Sequence, residues 1–121
     1  MKTILIADDN PTEIQLMSRV VSDLGHSVIV ADDGDTCVTT AKAKKPDLIL
    51  LDVVMPRQDG FATCRKLKMD PDTAQIPVIM VTTKDQETDK FWAAKQGANG
   101  YVTKPFTPEL LANAIRSNLK P

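Results

Sequence analysis

Five short apolar runs alternate with five longer amphipathic stretches along this chain, and that alternation constrains its fold more than any other feature. The runs are Thr3–Ala7, Ser27–Ala31, Leu48–Leu51, Val78–Val81 and Gly100–Thr103. The stretches that follow them lie near Pro11–Leu24, Asp35–Lys45, Phe61–Met69, Asp85–Gln96 and Pro108–Leu119. Short β-branched runs read as strands and the stretches with helical periodicity as helices, so the pattern is a βα unit repeated five times. Strands joined through helices run parallel, and right-handed crossovers place helices on both faces of the sheet. Inner strands are then covered on both sides and apolar throughout, as Leu48-Ile49-Leu50-Leu51 is. The expected class is α/β with a doubly wound parallel sheet.

The first helix carries its own punctuation. Asn10 can cap it, Pro11 suits its first turn, Glu13 stands three residues after the cap, and Gly25 ends it. Its core stripe is Ile14, Met17, Val20, Val21 and Leu24.

A chain of 121 residues with 42% hydrophobic content makes one ordinary core, so residues 1–121 are expected to be a single domain. Lys and Arg number 15 against 16 Asp and Glu, which leaves no global field to recruit nucleic acid or an anionic membrane. No apolar run is long enough to cross a bilayer, and Met1-Lys2-Thr3 passes straight into a strand pattern, so a cytoplasmic protein is expected. Cys37 and Cys64 lie in separate amphipathic stretches without metal-ligand spacing, and read as two reduced, semi-buried thiols.

The acidic residues at the strand ends carry the chemistry. Asp8 and Asp9 follow the first run and Asp52 follows the third. Open parallel sheets bind ligands in the crevice outside the carboxyl ends of their strands, and these three acids would converge there. Gathered carboxylates repel one another unless a cation compensates them, and a hard metal ion is the obvious compensator. Taken singly, Asp8 and Asp9 would serve as helix N-terminal acids, Thr82 as a polar strand end and Lys104 as a solvated lysine. Their joint placement at successive strand ends is what marks a site. His26, in a turn after Gly25, is assigned no role. Trp92 could be a partner-binding aromatic, but Phe91, Trp92 and Ala94 also fit the face of a helix packed on the sheet, and that packing is the favoured reading.

Asp8-Asp9 after the first strand, Asp52 with Met55-Pro56 three residues on and Gly60 beyond, Thr82 after the fourth strand and Lys104-Pro105 after the fifth form one pattern. With it the chain resembles a bacterial response-regulator receiver domain of two-component signalling over essentially its whole length. The resemblance implies a flavodoxin-like (βα)5 fold with strand order 2-1-3-4-5, as in the chemotaxis receiver CheY. It implies that Asp52 accepts a phosphoryl group, that Asp9 and Asp52 bind Mg²⁺ directly, Asp8 partly through water, and that the Val54 carbonyl completes the protein ligands. Lys104, the Thr82 hydroxyl and the backbone amides of Val54 and Thr83 would receive the phosphoryl oxygens. Pro105 would follow a cis peptide that aims Lys104 inward, and Tyr101 would be the aromatic that turns inward as Thr82 is drawn toward Asp52.

Compared with the chemotaxis receivers, Val54 stands two residues after the acceptor, Lys84 two after Thr82, and Thr83 where a smaller residue is commoner. The segment from Ile76 to Ala98 is similar to the twitching-motility receivers of the PilH type. That likeness implies a type IV pilus, chemotaxis-like pathway with a CheA-like histidine kinase as phosphodonor. The receiver would then act on a target through its helix 4, strand 5 and helix 5 face, or drain phosphate from the kinase. With no chain after the fifth helix for an output module, a stand-alone monomer is expected, without nucleic-acid contact or membrane insertion.

Three other readings compete. An aspartyl-phosphate phosphatase would need a general acid two residues after its nucleophile, where Val54 stands. A flavodoxin-like cofactor domain would need a phosphate-cradling loop where Asp8-Asp9 repels phosphate. A pseudo-receiver that only binds partners would not need the full set of Asp8, Asp9, Asp52, Thr82 and Lys104.

Overall fold

The computed structural model describes residues 1–56 and 59–120. Strands β1 (Thr3–Ala7), β2 (Ser27–Ala31), β3 (Leu48–Leu51), β4 (Val78–Thr82) and β5 (Gly100–Thr103) alternate with helices α1 (Pro11–Asp23), α2 (Gly34–Lys44), α3 (Gly60–Met69), α4 (Glu87–Lys95) and α5 (Pro108–Asn118). All strand pairings are parallel, in the order β2-β1-β3-β4-β5. Burial follows that order. Every residue of β3 and β4 is buried, whereas the edge strands β2 and β5 are only partly covered.

Alternating side chains divide the core in two, as the two-residue repeat of a strand requires. Ile4, Ile6, Leu48, Leu50, Ile79 and Val81 meet Met17, Val20 and Val21 of α1 and Leu111 and Ile115 of α5. Leu5, Ala7, Ile49, Leu51, Val78 and Met80 meet Cys37 and Ala41 of α2, Cys64 and Leu67 of α3, and Ala93 of α4. The α1 stripe is as expected, with Ile14 and Leu24 packed at its margins.

Local chemistry sets the helix boundaries. The Asn10 side chain accepts from the Thr12 and Glu13 amides, with Pro11 in the first turn. Gly25, at φ +85°, takes the left-handed backbone that closes α1. Helix α2 starts one residue earlier than expected because Asp33 caps it, accepting from the Thr36 amide at 2.7 Å. Helix α4 is shorter at both ends than the expected Asp85–Gln96. It begins after Gln86, whose amide donates to Asp89 Oδ2.

Two expectations about side chains fail. Phe91 and Trp92 are 57% and 54% exposed, because the inward stripe of α4 runs through Asp89, Ala93 and Gln96. Ala94 points outward with them. The thiols of Cys37 and Cys64 are fully buried rather than half-buried, and both are free. His26 has a structural task, since its Nδ1 accepts the Lys2 amide at 3.1 Å.

Candidate functional site

The strand order creates the site. Chain leaving β1 turns to one face of the sheet through α1, and chain leaving β3 turns to the other through α3, so a crevice opens between two adjacent strand ends. Asp8 follows β1 and Asp52 follows β3. The Asp52 amide donates to the Ala7 carbonyl at 3.0 Å and the Asp8 amide to the Ala31 carbonyl at 3.1 Å, which extends the sheet ladder to both acids.

The carboxylates of Asp8, Asp9 and Asp52 each offer an oxygen within 4.8 Å of the others. Asp8 is wholly buried, Asp52 nearly so, and Asp9 is exposed. Among them reaches Lys104 from the end of β5. Its Nζ donates to Asp8 Oδ2 at 2.7 Å and to Asp52 Oδ2 at 3.3 Å, and lies 4.0 Å from Glu13 Oε2. Burial alone pulls the Lys104 ammonium down. The Asp8 hydrogen bond and the charges of Asp52, Asp8 and Glu13 outweigh it, so its pKa lies above the ordinary lysine value.

The other carboxylate oxygens of Asp8 and Asp52 have backbone partners. Asp8 Oδ1 accepts from the Asn10 amide at 2.9 Å, and Asp52 Oδ1 from the Val54 amide at 3.3 Å. The Val54 side chain stands exposed at the rim. Gly60 packs directly against the backbone that carries Asp52. Its amide donates to the Val53 carbonyl at 2.7 Å, and a Cβ there would lie 2.6 Å from Val53 Cα and against the Asp52 carbonyl.

Thr82 ends β4 and is buried, and its Oγ1 accepts from the Lys84 amide at 3.3 Å. The Lys84 carbonyl in turn accepts from the Tyr101 hydroxyl at 2.6 Å. Thr82 and Tyr101 are thus joined through one loop residue. Tyr101 packs against the core, and burial, with Asp89, Asp85 and Asp52 adding negative charge, pushes its phenol up to about 12. Thr83 is exposed beside Thr82. The Lys104-Pro105 peptide is cis, as the resemblance implied.

Asp8, Asp9, Asp52 and Lys104 therefore come together, with Thr82 and Tyr101 linked beside them. Sequence reasoning missed Glu13, assigned only to a capping role, and the Lys84 carbonyl. No sequence signal separates a capping glutamate from one that also faces a lysine on another strand, and a backbone carbonyl has none. The donor set fits a hard cation, since it is all oxygen and Asp9 lies open to solvent at its edge.

A buried lysine between two carboxylates at the switch point of a five-stranded parallel sheet defines a receiver, and residues 4–116 match the response regulator receiver domain. The chain belongs to that family, whose members are phosphorylated on an aspartate. It is 47% identical to the protein PilH of Pseudomonas aeruginosa over 98% of both chains. It is 36% identical to the transcriptional regulatory protein PhoP of Bacillus subtilis, covering 98% of this chain but 49% of that one. Among solved structures, the chemotaxis protein CheY4 of Vibrio cholerae superposes with a TM-score of 0.92 at 31% identity, over 98% of this chain and 99% of that one. The receiver domain of the sensor histidine kinase PA1611 of Pseudomonas aeruginosa, with magnesium coordinated in its active-site cleft, superposes at 0.89 with 26% identity over 97% and 96%. No helix among the described residues is long and apolar enough to cross a membrane.

Proposed function

We propose that Asp52 accepts a phosphoryl group from a phosphohistidine on a CheA-like histidine kinase, the whole chain 1–121 acting as one cytoplasmic receiver. The observation that carries this reading is the convergence of the Asp8, Asp9 and Asp52 carboxylates around Lys104 at the strand ends. An Asp52 carboxylate oxygen attacks phosphorus, the P–N bond of the donor breaks, and the imidazole leaves with the electron pair and takes up a proton. Asp8, Asp9, Asp52 and the Val54 carbonyl would hold Mg²⁺, which supplies charge neutralisation between the anionic nucleophile and the anionic donor. Lys104 would exchange one carboxylate contact for a phosphoryl oxygen, and Thr82 and the amides of Val54 and Thr83 would donate to the others.

The readout we assign to α4, β5 and α5. Thr82, Lys84 and Tyr101 form a bonded path from the site toward that face, and Phe91 and Trp92 stand exposed on α4. The likeness to PilH supports a place in type IV pilus, chemotaxis-like motility signalling.

The test is intact-protein mass spectrometry of wild type and Asp52→Asn after incubation with a small-molecule phosphodonor, in Mg²⁺ or chelator. A single Mg²⁺-dependent phosphoryl adduct, absent from the variant, is expected. An adduct that survives in Asp52→Asn, or none in wild type, would overturn the reading.

A further inference from the structure

Glu13 stands in the first turn of α1, where a capping glutamate would turn back to the backbone amide of the N-cap residue. That amide, on Asn10, is already taken, because it donates to Asp8 Oδ1 at 2.9 Å. Among the described residues the Glu13 carboxylate has no hydrogen-bond donor, and its one ion-pair contact is Lys104 Nζ at 4.0 Å. That separation is longer than a hydrogen bond, and the ammonium is already engaged by Asp8 at 2.7 Å and Asp52 at 3.3 Å. Glu13 therefore adds charge to the site without anchoring Lys104. Its side chain is 30% exposed, which makes it the most open of the three acids around that ammonium.

The charge balance gives this acid a consequence. Lys104 and one divalent cation together match the charges of Asp8, Asp9 and Asp52, and Glu13 adds a negative charge that they leave uncompensated. Such a charge favours a cation and opposes an anion at the same place. It also competes with an incoming phosphoryl oxygen for Lys104. A dianionic donor such as acetyl phosphate meets more of this repulsion than a monoanionic one such as phosphoramidate. In either transfer an Asp52 oxygen bonds phosphorus as the donor's P–O or P–N bond breaks, and acetate or ammonia leaves with the electron pair.

We propose that Glu13 tunes the site by charge, strengthening Mg²⁺ binding while slowing transfer to Asp52, most for the donors of greatest negative charge. The effect on transfer rests on the phosphoacceptor reading, whereas the effect on Mg²⁺ does not.

Calorimetric titration of wild type, Glu13→Gln and Glu13→Asp with Mg²⁺ alone, and phosphorylation rates at saturating Mg²⁺ with acetyl phosphate and with phosphoramidate, test it. Glu13→Gln is expected to bind Mg²⁺ about threefold more weakly, yet to be phosphorylated about threefold faster by acetyl phosphate, with a smaller gain from phosphoramidate. Glu13→Asp keeps the charge and should stay near wild type in both. The two effects should shrink with added salt, as befits a part-exposed charge. A Glu13 that served only the helix would lower affinity and rate together, and that outcome, or an equal gain with both donors, would overturn the proposal. A wild type that takes a phosphoryl group from neither donor would overturn the phosphoacceptor reading instead. Mg²⁺ affinity unchanged by Glu13→Gln sinks the charge role in either case.

Discussion

Lys104 Nζ lies 2.7 Å from Asp8 Oδ2 and 3.3 Å from Asp52 Oδ2, so one ammonium from β5 joins the carboxylates that end β1 and β3. The three groups are nearly inaccessible to water. Lys104→Met would strand two buried carboxylates, and breaking such a pair costs about 3 kcal/mol. Urea denaturation in chelator should show that loss, and Mg²⁺ should recover part of it by replacing the missing positive charge. Unchanged stability in chelator would mean that Lys104 does not hold the acids together.

Val54 presents an exposed aliphatic side chain two residues after Asp52, with nothing to orient an attacking water. Val54→Asn supplies an amide there and is expected to speed loss of the phosphoryl group by about tenfold. Decay of labelled phosphoprotein measures this, and equal half-lives for the two proteins would rule it out.

Gly60→Ala places a methyl group against the backbone that carries Asp52. Because the obstructing atoms are backbone, the strain has no side chain to relax into, and a loss of about 2 kcal/mol is expected. Phosphorylation should slow as well, since a displaced nucleophile loses alignment. A fully stable Gly60→Ala protein with wild-type phosphorylation kinetics would show that the contact between Gly60 and the Asp52 backbone yields.

The buried thiols give the fold an alkaline limit. Burial pushes Cys37 up to about 12 and Cys64 up to about 11, with the Cys64 and Asp33 charges adding to the rise at Cys37 and Lys68 opposing it at Cys64. The unfolded chain releases these protons near 9.0 while the folded chain keeps them, so stability falls as pH rises above that value. Each thiol contributes about 1.4 kcal/mol per pH unit within its window. Urea midpoints between about pH 8 and about pH 10 should decline more steeply for wild type than for Cys37→Ala/Cys64→Ala, a comparison from which the phenol of Tyr101, present in both proteins, cancels. Parallel declines would refute this.

The strand ends were the readable part of this sequence. Each of Asp8, Asp52, Thr82 and Lys104 terminates or follows an apolar run, and the parallel topology alone brings such positions to one edge. Asp9, one residue further on, follows from the same rule. Helix faces were less legible where the pattern is weak. Phe91 and Trp92 are adjacent, about 100° apart around a helix, and a single small residue, Ala93, decides which side approaches the sheet. Cys37 and Cys64 are short enough to fit wholly beneath α2 and α3, which their flanking polar residues conceal. The Glu13 contact depends on how α1 is set against β5, a distance no local pattern records.

Trp92 is the chain's one tryptophan, and its place on the outside of α4 makes it a reporter. Its indole borders solvent rather than the acids, so its emission wavelength registers whether that helix is covered. A blue shift on adding another protein would announce contact at α4 without any attached dye, while filling of the acidic crevice would leave the spectrum nearly still unless the change travels through Thr82, Lys84 and Tyr101. The protein thus carries a native optical probe that distinguishes occupancy of its chemistry from engagement of its surface.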